Sequence, residues 1–178
     1  KIYSSTLTNS LPYLLTNGQK EIIKEIEINL MSSQRMFRIL QGDVGSGKTI
    51  ISIMAALDTI EAGYQCGLMA PTAILAEQHF TLFKKLIKKT DLKISFSLLT
   101  GKTDLKDRKK ILDDLNNGKI NFLIGTHALF QKTINFSKLG LVIIDEQHKF
   151  GVQQRMNFAK KGGSDCDVLL MSATPIPR

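Results

Sequence analysis

A glycine-rich segment with one lysine carries the clearest chemistry in this sequence. Residues 42–49 read GDVGSGKT, which fits the pattern GxxxxGK[ST]. Glycine permits tight turns and lets backbone N–H groups face a phosphate, and a helix beginning at Lys48 would add a partial positive charge. The alternative is a glycine-rich turn with an exposed lysine. The pattern favours a nucleotide site formed by Gly42, Asp43, Val44, Gly45, Ser46, Gly47, Lys48 and Thr49.

Two of these side chains have a specific chemical use in such a site. The Lys48 ammonium can neutralise the outer phosphates, and the Thr49 hydroxyl can ligate Mg²⁺. We therefore predict that the segment binds a nucleoside triphosphate together with Mg²⁺.

A pair of adjacent carboxylates is the second group of residues suited to chemistry. Residues 141–148 read LVIIDEQH, so Asp145 and Glu146 close an apolar run. Asp145 would hold Mg²⁺, directly or through water, and Glu146 would polarise the attacking water as a general base. An ordinary exit from a strand, where acids are common, is the alternative, and it loses weight beside the phosphate-binding pattern.

The elements that must position these residues alternate along the chain. Four apolar residues at helical spacing predict a helix over 19–31, and further helices are predicted over 48–62, 73–89 and 104–116. Strands are predicted over 35–40, 64–69 and 93–99, with short apolar runs at 120–124, 140–144 and 167–171. Residues 1–18 are mixed and polar, and we interpret them as a lead-in to one domain over 19–178.

Alternating strands and helices predict an α/β fold with a parallel sheet and helices on both faces. The runs LVII (141–144) and VLLM (168–171) are apolar without alternation, as in strands that are buried on both faces. Ligands of such sheets bind at the carboxyl ends of the strands. The acid pair and the phosphate-binding segment both follow predicted strands, as a site at that edge requires.

Composition limits the classes of protein that the sequence allows. With 43% hydrophobic and 22% charged residues in 178, the chain can bury a core as one domain. No apolar run reaches the roughly 18–20 residues that cross a bilayer, so no membrane partner is expected. The net charge of +8 suits either a basic surface or a polyanionic partner. Two separate cysteines indicate reduced, buried thiols in a cytoplasmic protein, and Lys1 in place of Met indicates a piece of a longer one.

Several segments together resemble one family. GDVGSGKT, DEQH and SAT (172–174) are similar to the first three motifs of superfamily-two helicases. Five longer segments resemble, more specifically, the RecG family of branched-DNA helicases. They are MAPTAILAEQH (69–79), LLTG (98–101), IGTHALF (124–130), DEQHKFGVQQR (145–155) and MSATPIPR (171–178). LPYLLTNGQKEII (11–23) resembles the adenine-reading segment of that family, so the resemblance covers nearly all of residues 11–178. Lys149 and Ser172 depart from the family's usual Arg and Thr but keep the chemistry.

The resemblance implies a RecA-like P-loop NTPase lobe that uses ATP and Mg²⁺ to drive translocation on DNA. The activity implied is the remodelling of stalled forks and four-way junctions in recombination and repair. A second motor lobe after Arg178 and a branch-reading wedge domain before Lys1 would be its partners in the same chain. Gln19 would read the adenine edge. Coupling of nucleotide state to DNA would fall to Gln147, His148, Ser172 and Thr174, and the DNA path would include Pro71, Thr72, Gly101, Thr126 and His127.

Other interpretations stay open from the sequence. A transcription-repair coupling translocase shares the GTH, FGV and ATPIPR elements, and a nucleotide-binding interaction module without motor activity would share the phosphate-binding segment. Gln19 could be a plain polar residue at a helix start, and Ser172 and Thr174 could cap a turn. His79, on the predicted helix after Pro71, is expected to be a packed or exposed ring rather than a contact.

Overall fold

The computed structural model describes residues 2–32, 34–41, 47–126, 134–146 and 166–172, with Glu146 described by its backbone. The helices are Ile2–Ser10 (α1), Asn17–Met31 (α2), Lys48–Glu61 (α3), Ala73–Lys88 (α4) and Leu105–Asn116 (α5). The strands are Phe37–Gln41 (β1), Gln65–Met69 (β2), Phe96–Leu99 (β3), Phe122–Gly125 (β4), Leu139–Glu146 (β5) and Asp167–Ser172 (β6).

The six strands form one sheet in the order β1-β6-β5-β2-β4-β3, and every described pair is parallel. The parallel α/β sheet predicted from the alternation is confirmed. Element bounds differ from the predicted ones mainly at β3, which begins at Phe96 rather than at residue 93, and at β5, which continues through Glu146. Asp145 and Glu146 are therefore the last two residues of β5 and do not belong to the loop after it.

The apolar runs at the centre of the sheet are buried on both faces, as their lack of alternation predicts. Residues 141–144 of β5 are all fully buried. Alternate residues of the central strands join two separate apolar clusters, one with the helices α1 to α4 and one with α5 and the segment before β5. The predicted arrangement with helices on both faces is thus confirmed.

The first residues of the chain contain a helix that the sequence analysis did not predict. α1 packs against α3, and its Leu7 is fully buried in the core shared with α2, α3 and α4. The Glu61 carboxylate at the end of α3 accepts hydrogen bonds from the Ile2 and Tyr3 backbone N–H groups, at 3.3 and 2.8 Å. A carboxylate at a helix N-terminus satisfies orphan donors and favours the helix dipole. Residues 2–10 are therefore a packed part of this fold.

Helix α4 is fixed to the sheet by an aromatic cluster. The Phe83 ring is fully buried and meets Phe96 of β3 and Phe122 of β4 edge-on, with centroids 4.9 Å apart in both pairs. Such edge-to-face pairs add about 0.5–1.5 kcal/mol each beyond the apolar area they bury. The N-terminal end of α4 is capped by Thr72, whose Oγ1 accepts from the Leu75 N–H at 3.2 Å. The helix is consequently held at its start and in its middle.

Both cysteines are buried and free, in agreement with the predicted buried thiols. Burial raises the pKa of Cys66 well above its ordinary value, and burial, with a smaller contribution from Asp167, raises the pKa of Cys166 to about 12. Both thiols therefore stay protonated at neutral pH, which keeps them poorly nucleophilic. Within the described residues, no helix has both the length and the apolar character needed to cross a membrane.

Candidate functional site

The residues predicted to do chemistry meet at the carboxyl edge of the sheet. β6 lies between β1 and β5, and its last residue, Ser172, is in register with Gln41 on one side and Glu146 on the other. Gln41 directly precedes the phosphate-binding segment, and Lys48 begins α3. Gln41 and Lys48, which flank residues 42–47 of the phosphate-binding segment, therefore lie at the same edge as the end of β5.

Lys48 bridges this edge in the structure. Its Nζ donates a hydrogen bond to the backbone carbonyl oxygen of Ser172 at 3.1 Å. Ser172 itself is buried at the end of β6. In this hydrogen bond a charged donor meets a neutral carbonyl oxygen. Phosphate oxygens can replace the carbonyl as the acceptor, because a hydrogen bond between two charged groups is stronger. The Lys48 side chain thus reaches from α3 to β6. β6 is the strand that pairs with β5, which carries Asp145 and Glu146.

Gln19 meets the last glycine of the phosphate-binding segment. The Gln19 Oε1 accepts from the Thr16 backbone N–H at 2.8 Å, and the Gln19 N–H donates to Thr16 Oγ1 at 3.1 Å. This reciprocal capping box begins α2. It fixes the carboxamide so that Nε2 lies directly against Gly47, where a Cβ atom would overlap it.

The TNGQ spacing at 16–19 is a capping-box signal that the sequence analysis passed over. Gln19 is therefore both a helix-capping residue and a neighbour of Gly47 in the phosphate-binding segment. Its reading of an adenine edge stays a prediction.

We expect Gly47→Ala to weaken nucleotide binding. Gly47 caps α3 at φ 88°, and an added Cβ would meet the Gln19 carboxamide. Gly63→Ala is the matched control, since Gly63 has φ 95° but open space around its Cβ. Backbone strain should lower the stability of both variants by about 1–2 kcal/mol. Only Gly47→Ala should also lose affinity in a nucleotide titration, and equal affinities in the two variants would contradict a role for the Gln19–Gly47 contact.

Asp145 has a partner that the sequence analysis did not foresee. His79 of α4 places its Nε2 2.7 Å from Asp145 Oδ2, and both side chains are about 12% exposed. The His79 ring is packed, which was one of the expected outcomes, but it also makes a polar contact, which was not expected. The reason is tertiary: the fold brings α4 over the end of β5, and 66 residues separate the two side chains in the chain. No local spacing carries that information.

The donor chemistry fits Mg²⁺. Asp145 provides carboxylate oxygens, and Thr49 follows Lys48 in the first turn of α3 with a hydroxyl. No group of three His, Cys, Asp or Glu side chains capable of holding a metal is present among the described residues. Mg²⁺ does not need such a group, because it commonly takes one or two protein oxygens together with phosphates and water. Thr49 and Asp145 are therefore the candidate protein ligands.

Four residues predicted for a DNA path lie at the same edge, after β2, β3 and β4. Pro71 and Thr72 are half-buried, and Thr72 caps α4 as described above. Gly101 is exposed with open space around it, so a backbone or phosphate can approach closely. Thr126 is only 4% exposed. Their contact with DNA stays a prediction, and Thr126 is the member least available to a ligand in this arrangement.

The remaining predicted site residues lie outside the described part of the chain. They are Gly42, Asp43, Val44, Gly45, Ser46, His127, Gln147, His148 and Thr174. Glu146 is described as the last residue of β5, directly after Asp145.

Comparison with known proteins places this arrangement in a family. The DEAD/DEAH box helicase family matches residues 16–178. The ATP-dependent DNA helicase RecG of Borreliella burgdorferi is 49% identical over 97% of this chain and 25% of its own length. The RecG helicase of Bacillus subtilis is 51% identical over 95% of this chain and 24% of its own length. The predicted resemblance to RecG is confirmed, and the chain spans about a quarter of the length of these relatives.

Solved structures agree. A structure of RecG bound to a three-way DNA junction superposes with a TM-score of 0.86 at 45% identity, covering 98% of this chain and 23% of that one. A DEAD-box helicase bound to single-stranded RNA gives a TM-score of 0.78 at 21% identity, covering 99% of this chain and 39% of that one, which concerns the fold alone. The sheet is thus the RecA-like lobe that was predicted. With Lys48 and the acid pair at one edge of that lobe, the chain belongs to the DEAD/DEAH box helicase family.

Proposed function

We propose that this chain is the ATP-binding motor lobe of a RecG-type DNA helicase that remodels branched DNA. The observation that supports it most is the meeting of Lys48, Ser172 and Asp145 at one sheet edge. That edge carries a phosphate-binding cation and a metal-binding acid on neighbouring elements. The RecG structure with a three-way junction supports branched DNA as the partner. The two free cysteines suit a reducing compartment, so the cytoplasm is the proposed location.

Each of these side chains has a separate role in ATP hydrolysis, which follows from its chemistry. Lys48 leaves the Ser172 carbonyl for the outer phosphates of ATP, which ends its contact with β6. Thr49 and Asp145 would hold Mg²⁺, which would neutralise charge on the phosphates. Glu146 takes the proton of the attacking water. Ser172 of β6 is in register with Glu146 of β5. Loss of the Lys48 contact when ATP binds would therefore change the surroundings of the strand that carries Glu146, the general base.

DNA is proposed to run along the carboxyl edge past Pro71, Thr72 and Gly101, with His127 as a further contact. The net charge of +8 favours binding through phosphates, which releases counterions and makes affinity fall as salt rises. Coupling by Gln147, His148, Ser172 and Thr174, and contacts to a second lobe and a wedge domain, are parts of the same proposal.

Lys48→Ala in the full-length protein tests the proposal. Removal of one preorganised cation from the phosphates should lower ATP turnover by about 10²–10³-fold. Lys110→Ala is the matched control, because Lys110 is exposed on α5 and pairs with Asp114 at 3.2 Å. ATP turnover is measured with no DNA, with linear duplex and with a three-way junction. We expect the junction to stimulate the wild type and the control but not Lys48→Ala. Turnover that ignores DNA would instead favour an interaction module.

A further inference from the structure

The His79–Asp145 contact is the strongest feature that the assignment of site residues leaves unexplained. An ionised carboxylate only accepts hydrogen bonds, so the 2.7 Å contact has His79 Nε2–H donating to Asp145 Oδ2. Both side chains are mostly buried, at about 12% exposure. A hydrogen bond of this length at a mostly buried position restricts rotation of the Asp145 carboxylate.

The helix that carries His79 is rigidly placed. Phe83 lies four residues further on, on the same face of α4, and it packs edge-on against Phe96 and Phe122 of the sheet. Thr72 caps the first turn. The imidazole is therefore presented to Asp145 from a fixed support rather than from a loop.

The two oxygens of the Asp145 carboxylate therefore have different surroundings. Oδ2 is bound to His79, and within the described part of the chain Oδ1 has no hydrogen-bond partner, which leaves that oxygen for a metal ion or its water. Partners that hydrogen-bond to metal-ligating groups fix the orientation of those groups. Packing alone does not require a histidine here, because an apolar side chain would fill the same half-buried position without a donor.

We propose that His79 is a positioning residue, which holds Asp145 Oδ2 so that Oδ1 serves the Mg²⁺ that accompanies ATP. The inference rests on the proposed function, since it deepens the role of Asp145 in nucleotide binding. Thr72, a residue of the proposed DNA path, is the N-cap of α4. The same helix therefore physically joins that path to the metal ligand.

The test compares three replacements in the full-length protein. His79→Leu removes the donor. In His79→Gln an amide nitrogen stands the same number of bonds from Cα as Nε2, and in His79→Asn it stands one bond closer. Thr81→Leu, an exposed position of α4, is the control. The readout is binding of a fluorescent ADP analogue as Mg²⁺ is titrated, and again in excess EDTA.

His79→Leu and His79→Asn should raise the Mg²⁺ concentration for half-maximal binding about 10–100-fold. His79→Gln should stay near wild type, and all variants should keep wild-type affinity in EDTA. A wild-type Mg²⁺ midpoint in His79→Leu, or equal losses with and without Mg²⁺, would overturn the inference. Should His79→Leu fail to fold, equal midpoints for the Gln and Asn variants would overturn it. If the wild-type protein itself shows no Mg²⁺-dependent binding, the proposed function fails as well.

Discussion

Glu146→Gln is expected to lower ATP hydrolysis by about 10²–10⁴-fold, the usual contribution of a general base, while ATP still binds. Glutamine keeps the size of the side chain and its hydrogen bonding but cannot take a proton from water. Glu146 ends β5 directly after Asp145, and its backbone is in register with Ser172. The two acids are adjacent in the chain, and we expect Asp145 to serve the metal and Glu146 to serve the water.

Two measurements on one full-length variant decide this prediction. A nucleotide titration in Mg²⁺ reports binding, and a turnover assay reports hydrolysis. Asp145→Asn is the matched comparison, because loss of charge at the candidate metal ligand should weaken Mg²⁺-dependent binding itself. Equal losses of binding and turnover in Glu146→Gln would show that Glu146 serves binding and not the water.

Much of this site is predictable because its signals are local. The glycines around Lys48 and the acid pair after LVII depend on spacing within eight residues. Runs without alternation indicate a doubly covered parallel sheet, and parallel strands bring their carboxyl ends to one edge. Lys48 and Asp145 could therefore be assigned to one edge before any coordinates were known.

The features that escaped prediction depend on tertiary contacts. α1 has a sequence rich in Ser and Thr, IYSSTLTNS, which favours a helix poorly. It forms because Leu7 is buried and because Glu61, more than fifty residues away, accepts from its first N–H groups. The His79–Asp145 pair likewise joins α4 to β5 across the sheet. No periodicity or motif spacing encodes contacts of this separation.

A protein of residues 1–178 alone is expected to hydrolyse ATP about 10³–10⁵-fold more slowly than the longer protein with branched DNA, the range attributed to a catalytic arginine. Charge that develops on the transferred phosphoryl group needs a cation opposite Lys48. Three described arginines are poorly placed for it. Arg35 precedes β1 at the opposite edge of the sheet, Arg38 pairs with Glu25 at 3.3 Å, and Arg108 lies on α5 beside the edge strand β3.

None of the described arginines is placed opposite Lys48, and we expect that cation from the second lobe that the resemblance to RecG implies. A lobe that binds ATP from one side also has no cleft to close, so DNA binding cannot complete the site. Both proteins should bind Mg·ATP, which is measured on the same samples to show that the shorter one is folded. Their turnover is then compared with and without a three-way junction. If residues 1–178 alone reach the junction-stimulated rate of the longer protein, then this lobe supplies its own cation and the two-lobe mechanism is wrong.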